Sequence, residues 1–208
     1  MIRVLLADDH AVVRRGLKQI LAETEDIRTE GEVDSGAGVL RAVRQKKYDI
    51  VLLDITLPDQ NGLEVLGQLR AAHPNLPVLM LSVHPEEQYA VRALKGGAAG
   101  YLTKDSAPEE MVAAIRKVYR GGKYVSAALA ERLAGLLGSQ AGAPHESLSE
   151  REFQVMLLLA NGKSVSEIAN RLALSAKTVS TYRTRLMEKL GVKSIAELVR
   201  YVMEQGLI

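Results

Sequence analysis

The stretch VLLDITLPDQNG at residues 51–62 combines a short apolar run, an acidic residue and a loop rich in turn-forming side chains. With Ile50, the apolar run is typical of a strand that is covered on both faces of a parallel sheet. Asp54 stands where this strand ends. The stretch therefore predicts a central strand that carries a carboxylate at its carboxyl end.

On either side of this stretch, the first 122 residues alternate between two periodicities. Short apolar runs predict five strands, at 4–7, 27–33, 50–53, 78–81 and 100–102. Longer segments with 3.6-residue spacing predict five helices, at 11–22, 36–46, 62–72, 86–96 and 107–120. Strands that alternate with helices favour an α/β fold, a doubly wound parallel sheet with helices on both faces.

The remainder of the chain has only helical periodicity. One amphipathic helix is predicted at 126–137, and the small, polar segment 138–145 is typical of a linker. Four further helices are predicted at 150–161, 165–172, 176–190 and 195–205. We therefore predict a first domain at 1–122, a linker at 123–147 that includes helix 126–137, and an all-α four-helix domain at 148–208.

Serine residues that precede a glutamate by three positions predict several helix starts, because this spacing forms a capping box. They are Ser106 with Glu109, Ser149 with Glu152, Ser164 with Glu167, and Ser194 with Glu197. Ser175 is predicted as a further N-cap.

Composition limits the classes of function. The 208 residues are 47% hydrophobic and 25% charged, which is typical of one or two globular domains. The absence of cysteine excludes disulfides, a thiol nucleophile and thiolate metal sites. We expect a cytoplasmic chain with no membrane partner, because no apolar run approaches ~18 residues and two acids interrupt the opening MIRVLLADDH.

The charge is unevenly distributed. Residues 1–139 carry 18 basic and 18 acidic side chains, whereas residues 148–208 carry 9 basic and 6 acidic ones. Five basic residues and one acidic residue fall within 175–193. This clustering indicates a polyanionic partner, although a solvated helix face would give the same counts.

Polar groups follow four of the predicted strands, at the edge where ligands bind to open parallel sheets. They are Asp8 and Asp9, Asp54, Ser82 and Lys104. Three carboxylates in one crevice repel one another, and a hard divalent cation such as Mg²⁺ relieves this repulsion. A single aspartate after a strand is usually a helix N-cap, but the convergence of the whole set favours a binding site.

The chemistry that this set predicts is phosphoryl transfer to a carboxylate. Asp54 is the predicted nucleophile, Asp9 the direct metal ligand and Asp8 a more distant one, with the Thr56 backbone carbonyl completing the site. The glycine-rich fingerprint of a dinucleotide fold is missing from the turn that Asp8 and Asp9 occupy.

Residues 1–122 resemble the receiver domain of two-component response regulators. The motifs that carry the resemblance are LLADDH (5–10), VLLDITLPDQNG (51–62), VLMLS (78–82) and GAAGYLTK (97–104). The resemblance implies a flavodoxin-like sheet with strand order 2-1-3-4-5, a bound Mg²⁺ and phosphorylation of Asp54 by a sensor histidine kinase. It also implies that Lys104 pairs with the phosphoryl group and that Ser82 and Tyr101 form the switch. Asp105 departs from the family, since many receivers have proline there.

A physical account of the switch follows from these roles. Ser82 and Lys104 would bind the new phosphoryl oxygens, and the space that Ser82 vacates would let Tyr101 turn inward. His84 is a candidate for control of water access to the phosphoryl group, and an ordinary solvated histidine is an equal alternative.

The segment 165–190 has helix–turn–helix form, with Ala173, Leu174 and Ser175 as the turn. Val179, Leu186 and Leu190 lie on one face of its second helix. The stretch LSEREFQVMLLLANGKSVSEIANRLALSAKTVSTYRTRLMEKLGV (148–192) resembles the DNA-binding domain of LuxR/NarL/FixJ regulators. By that resemblance the base-facing residues are Ser180, Thr181 and Thr184, and the phosphate-backbone contacts are Lys177, Arg183, Arg185 and Lys189. Tyr182 replaces the histidine common at its position.

Together these features predict a phosphorylation-controlled transcription regulator and not an enzyme with turnover. It would bind double-stranded DNA with two-fold related half-sites as a homodimer when phosphorylated, with RNA polymerase as a further candidate partner. One alternative is a Mg²⁺-dependent phosphohydrolase resembling the haloacid dehalogenase group, but Thr56 stands where such enzymes carry a second aspartate. The other is a constitutive DNA-binding protein with a degenerate receiver, which the complete set of pocket residues disfavours.

Overall fold

A computed structural model describes residues 1–83, 86–137 and 143–208 of the chain. These residues form two compact units, Met1–Leu133 and Ala134–Ile208. Two predictions fall outside the described residues. They are the role of His84 in water access and most of the small, polar segment 138–145, of which residues 138–142 are not described.

The first unit contains a five-stranded parallel sheet with the order β2-β1-β3-β4-β5, which confirms the predicted fold class. Its strands are β1 Ile2–Ala7, β2 Ile27–Val33, β3 Ile50–Asp54, β4 Val78–Ser82 and β5 Gly100–Thr103. Its helices are α1 Ala11–Ala22, α2 Gly36–Gln45, α3 Gly62–Ala72, α4 Glu86–Lys95, α5 Pro108–Tyr119 and α6 Ala127–Leu137, the last of which runs into the second unit.

The sheet is buried on both faces at its centre. Every residue of β3 and of β4 is buried, whereas β2 at the edge is buried only at Ile27. One face packs Val4, Leu52 and Leu79 against Ile115 of α5. Continuous apolar strands in the middle and mixed sequence at the edge are what a doubly wound sheet requires.

The first unit extends beyond residue 122 because the chain after α5 is bound to it. The Tyr124 amide donates to the carbonyl of Ala99 beside the edge strand β5. The Tyr124 hydroxyl donates to Glu110, the Ser126 hydroxyl donates to Glu86, and Leu129 is buried. The observed unit boundary therefore falls inside the predicted linker helix.

In the described residues of the second unit, the only regular secondary structure is helical. A short 3-10 helix, Pro144–Ser147, precedes α7 Glu150–Ala160, α8 Val165–Arg171, α9 Ala176–Leu190 and α10 Ile195–Glu204. The capping boxes of Ser149 and Ser164 are present in full, and Ser175 caps α9. Ser194 caps α10, but Glu197 accepts from the amide of Lys193 instead of completing the box.

The predicted capping box at Ser106 is wrong. The helix α5 starts at Pro108 with Ala107 as N-cap, and the Ser106 hydroxyl lies 3.2 Å from that of Thr103. Proline suits the first helical position because it lacks the amide hydrogen that has no partner there.

Among the described residues, no helix combines the length and the hydropathy needed to cross a bilayer.

Candidate functional site

Four of the side chains predicted for the pocket converge at the carboxyl ends of the strands. Asp8 follows β1, Asp54 ends β3, Ser82 ends β4 and Lys104 follows β5. At most 1% of Asp8, Asp54 and Ser82 is exposed. The neighbouring positions of β1, β3, β4 and β5 in the sheet create this convergence, since parallel strands end at one edge.

Lys104 is the charge partner of the two buried carboxylates. Its Nζ lies 2.6 Å from Asp54 Oδ2 and 2.6 Å from Asp8 Oδ2. Only the contact with Asp54 also has hydrogen-bond geometry, so Asp8 Oδ2 is a buried acceptor without a hydrogen bond. The other oxygen of Asp54 accepts the amide hydrogen of Thr56 at 3.2 Å. Both buried carboxylates therefore already contact one cation, the Lys104 ammonium group.

The electrostatics of this cluster follow from burial and charge. Burial raises the pKa of the Asp54 carboxyl to about 6, and the charge of Asp8 adds to this, while Lys104 acts in the opposite direction. Burial alone would lower the pKa of Lys104, but its bonds to Asp54 and Asp8 outweigh burial and raise it. At neutral pH the Lys104 ammonium group therefore lies beside an Asp54 carboxyl that is mostly ionised.

The acidic residues of the pocket fit a divalent cation. One donor atom each from Asp8, Asp9, Asp54 and His10 lies within 4.8 Å of the others. Carboxylate oxygens are the ligands that Mg²⁺ prefers, and Asp9 presents its carboxylate from a partly exposed position. His10, which directly follows the acidic pair, is not among the residues predicted for this site.

The loop after Asp54 is folded back tightly onto the end of β3. The Gly62 amide donates to the Ile55 carbonyl at 2.8 Å, and a Cβ on Gly62 would lie 2.1 Å from the Asp54 carbonyl oxygen. Asn61 caps α3, and the Asp59 carboxylate accepts the first amides of α2 at 2.8 Å. Glycine at position 62 is thus required for the close approach that fixes Asp54.

Tyr101 lies on β5 with its side chain completely buried. The resemblance to receivers predicts that the Tyr101 ring turns inward when Asp54 is phosphorylated. In this structure the ring already occupies the interior, so the expected rotation does not start from an exposed ring.

The helix α9 has the two faces that its sequence predicts. Val179, Leu186 and Leu190 are buried. The exposed side chains include most of the residues assigned to DNA, namely Lys177, Ser180, Thr181, Thr184, Arg185 and Lys189, while Arg183 is half-buried. Ala173 in the turn before α9 has a φ of 52°, which reverses the chain between α8 and α9.

Lys189 differs from the other predicted DNA contacts. Its Nζ lies 2.6 Å from the Glu152 carboxylate of α7, which is buried. To reach a DNA phosphate, Lys189 would have to give up its ion pair with this buried acid, which would keep the hydrogen bond from the Ser149 amide. The structure therefore places Lys189 as a residue that holds α9 against α7.

Two family comparisons cover most of the chain. The response regulator receiver domain matches residues 4–116, and the bacterial regulatory proteins of the luxR family match residues 146–202. The sheet with its acidic pocket and the helical unit thus define a receiver joined to a LuxR-type DNA-binding domain. The chain belongs to the response regulators of this type, and it is a regulator with a DNA-binding output domain.

Individual relatives share this architecture over their full length. Response regulator GacA of Pseudomonas aeruginosa is 40% identical over all of this chain and 98% of its own. Response regulator UvrY of Escherichia coli is 38% identical over all of this chain and 96% of its own. RcsB of Salmonella enterica serovar Typhimurium, solved on the promoter rprA with the phosphomimetic BeF3-, is 25% identical with a TM-score of 0.68, covering 97% of this chain and 98% of that one.

Proposed function

We propose that Asp54 is the phosphoacceptor of this response regulator and that a sensor histidine kinase is its donor. A carboxylate oxygen of Asp54 would form a bond to phosphorus while the bond between phosphorus and the kinase histidine breaks. The observation that carries the proposal is the placement of Asp54 at the end of β3, 2.6 Å from the Lys104 ammonium group. The buried position excludes bulk water from the acyl phosphate that results.

The residues around Asp54 divide the work of the transfer. With a raised pKa of about 6, Asp54 is mostly ionised at neutral pH and can act as a nucleophile. Lys104, which donates to the Asp54 carboxylate before transfer, would pair with the phosphoryl oxygens after it. Ser82, at the end of the adjacent strand β4, is positioned to donate its hydroxyl to another of these oxygens.

A Mg²⁺ ion fits the acidic cluster and would be held by Asp9 and Asp54, with Asp8 further away and the Thr56 carbonyl as an additional ligand. When bound, Mg²⁺ would neutralise charge on the transferring phosphoryl group. The spacing of the cluster supports this assignment, because one carboxylate oxygen each of Asp8, Asp9 and Asp54 lies within 4.8 Å of the others.

We further propose that α9 reads the major groove of double-stranded DNA. Ser180, Thr181 and Thr184 form a small, polar, exposed surface that suits base edges. Lys177, Arg183 and Arg185 would contact phosphates, whereas Lys189 would mainly position the helix. With ~0.9 per phosphate contact, three such residues give a salt slope of roughly −3 per protomer.

The output is proposed to be a homodimer on two-fold related half-sites, with RNA polymerase as a further partner. RcsB, a structural relative, has been solved as dimers bound to DNA. The proposed domains are a receiver at 1–122, a linker at 123–147 whose first residues pack on the receiver, and a DNA-binding domain at 148–208. A cytoplasmic location follows from these partners, since bacterial DNA and the phosphoryl-donating part of the kinase meet there.

The test combines DNA binding with mass measurement by light scattering. Full-length wild type and Asp54→Asn are compared with and without acetyl phosphate and Mg²⁺, using duplex DNA selected from a random pool by the treated wild type. We expect the donor to raise both DNA affinity and mass in wild type and neither in Asp54→Asn. Equal affinity of the wild type before and after treatment would instead show a constitutive DNA-binding protein.

A further inference from the structure

The side chain of His10 lies inside the acidic cluster rather than beside it. Its Nδ1 is 2.6 Å from Asp9 Oδ1 and 3.4 Å from Asp8 Oδ1. Its backbone amide donates to Asp8 Oδ1 at 2.8 Å, so the main chain of His10 already fixes Asp8. The imidazole is 61% exposed, so solvent ions can reach it.

These spacings match those of ligands that share one ion. Two cis ligands at ~2.1 Å from an octahedral metal are ~3.0 Å apart, and the two distances from His10 Nδ1 lie on either side of this value. The four donor atoms of Asp8, Asp9, His10 and Asp54 span at most 4.8 Å, slightly more than the ~4.2 Å of trans ligands. A small closure of the cluster would complete the set.

An imidazole nitrogen changes the metal preference of a carboxylate site. Mg²⁺ favours oxygen ligands, whereas Co²⁺, Ni²⁺ and Zn²⁺ bind imidazole well and bind mixed nitrogen and oxygen sites more tightly than earlier divalent ions do. Neutral histidine protonated on Nε2 offers its Nδ1 lone pair for this purpose.

We propose that the phosphoacceptor site also binds late transition-metal divalent cations, with His10 Nδ1 as a ligand that Mg²⁺ does not use. The proposal rests on the metal site of the proposed function. It adds that two kinds of divalent ion compete for one pocket and that His10 discriminates between them.

The competing explanation is that His10 only donates a hydrogen bond to Asp9. The substitution His10→Asn separates the two, because asparagine keeps a short side-chain donor and the backbone amide but replaces the imidazole with a poor metal ligand. His10→Ala removes both functions of the side chain. His73→Ala is a matched control, since His73 lies after α3 at the opposite end of the sheet.

The experiment measures Co²⁺ and Mg²⁺ binding to the full-length chain by calorimetry, alone and in competition. We expect His10→Ala and His10→Asn to lower Co²⁺ affinity by ~10-fold or more, in line with losses at metal sites, and to lower Mg²⁺ affinity by a much smaller factor. His73→Ala should change neither. In the proton NMR spectrum of the Co²⁺ form, a strongly shifted exchangeable imidazole N–H signal should be present in wild type and missing from His10→Asn.

The outcomes that overturn the proposal are distinct from failure of the proposed function. If Mg²⁺ binds but Co²⁺ affinity and the NMR signal do not depend on His10, or if His10→Asn behaves like wild type, the ligand role is wrong while the phosphoacceptor site stands. If the wild-type chain binds neither ion, the metal site itself is wrong and the role of His10 is wrong with it.

Discussion

The ionised carboxyl of Asp54 should destabilise the folded receiver unit at neutral pH, so Asp54→Asn should stabilise it. Asparagine has nearly the same shape but carries no charge into the buried pocket. Lys104 loses one partner in this variant but keeps Asp8 at 2.6 Å. The substitution therefore removes the cost of burying the Asp54 charge and its repulsion by Asp8. It loses only the attraction between Asp54 and Lys104.

The magnitude follows from the pKa. The folded protein raises the pKa of Asp54 from 3.8 to about 6, mainly by burial, and this value already includes the attraction of Lys104. At about 1.4 kcal/mol per pKa unit, ionisation of Asp54 costs ~3 kcal/mol of folding free energy above pH 6. Because the folded chain holds this proton more tightly than the unfolded chain, the cost grows as pH rises from about 4 to 6 and is absent below that window.

Urea denaturation of the full-length chain at pH 7.5 and pH 4, followed by circular dichroism and tyrosine fluorescence, measures this difference. We expect Asp54→Asn to raise the free energy of unfolding of the receiver unit by up to ~3 kcal/mol at pH 7.5 and by much less at pH 4. Asp49→Asn is a control in which the free energy of unfolding at pH 7.5 should fall instead of rise, because hydrogen bonds from Arg3 lower the pKa of Asp49. A destabilised Asp54→Asn at pH 7.5, or a gain that persists unchanged at pH 4, would refute this electrostatic reasoning.

Three further outcomes follow from the contacts. Gly62→Ala should impair phosphorylation by acyl phosphate, measured by intact mass, because the added Cβ would meet the Asp54 carbonyl oxygen at 2.1 Å; full labelling of this variant would contradict the role of the loop. Lys189→Ala should lower the free energy of unfolding of the second unit by ~1–3 kcal/mol, because the buried Glu152 carboxylate loses its ammonium partner and keeps only neutral donors such as the Ser149 amide, while leaving the salt slope of DNA binding unchanged; a flatter slope with normal stability would restore Lys189 as a phosphate contact. The Thr181 hydroxyl donates to the Lys177 carbonyl at 3.0 Å and so offers DNA an acceptor oxygen and a methyl group. Thr181→Val keeps a methyl group and removes the acceptor oxygen, so it should relax a preference for adenine or cytosine in selected DNA, and loss of a guanine preference would argue against this geometry.

The pocket could be predicted from sequence because it depends on local order along the chain. Asp8, Asp54, Ser82 and Lys104 each stand at the end of an apolar run, and parallel strands bring such ends together. The strand order and the convergence of these groups are found as expected. His10 was missed because a histidine after an acidic pair has no fixed direction until the first turn of α1 is built.

Contacts between elements distant in sequence were harder to foresee. Lys189 looks like any exposed basic residue on α9, and only the packing of α7 places Glu152 beside it. The first unit ends later than the composition suggests, because Tyr124 and Ser126 bind α5 and α4 through hydroxyl groups that the sequence does not distinguish from solvated ones. The predicted capping box of Ser106 was also wrong, because α5 starts at Pro108, two residues after Ser106, with Ala107 as its N-cap.

The central claim is that Asp54 accepts a phosphoryl group, and intact-mass spectrometry after incubation with acetyl phosphate and Mg²⁺ tests it most directly. The account predicts one added phosphoryl group in wild type, none in Asp54→Asn, and none when the divalent ion is removed by a chelator. A wild-type chain that remains unmodified, or an Asp54→Asn chain that is modified as readily as wild type, would contradict it.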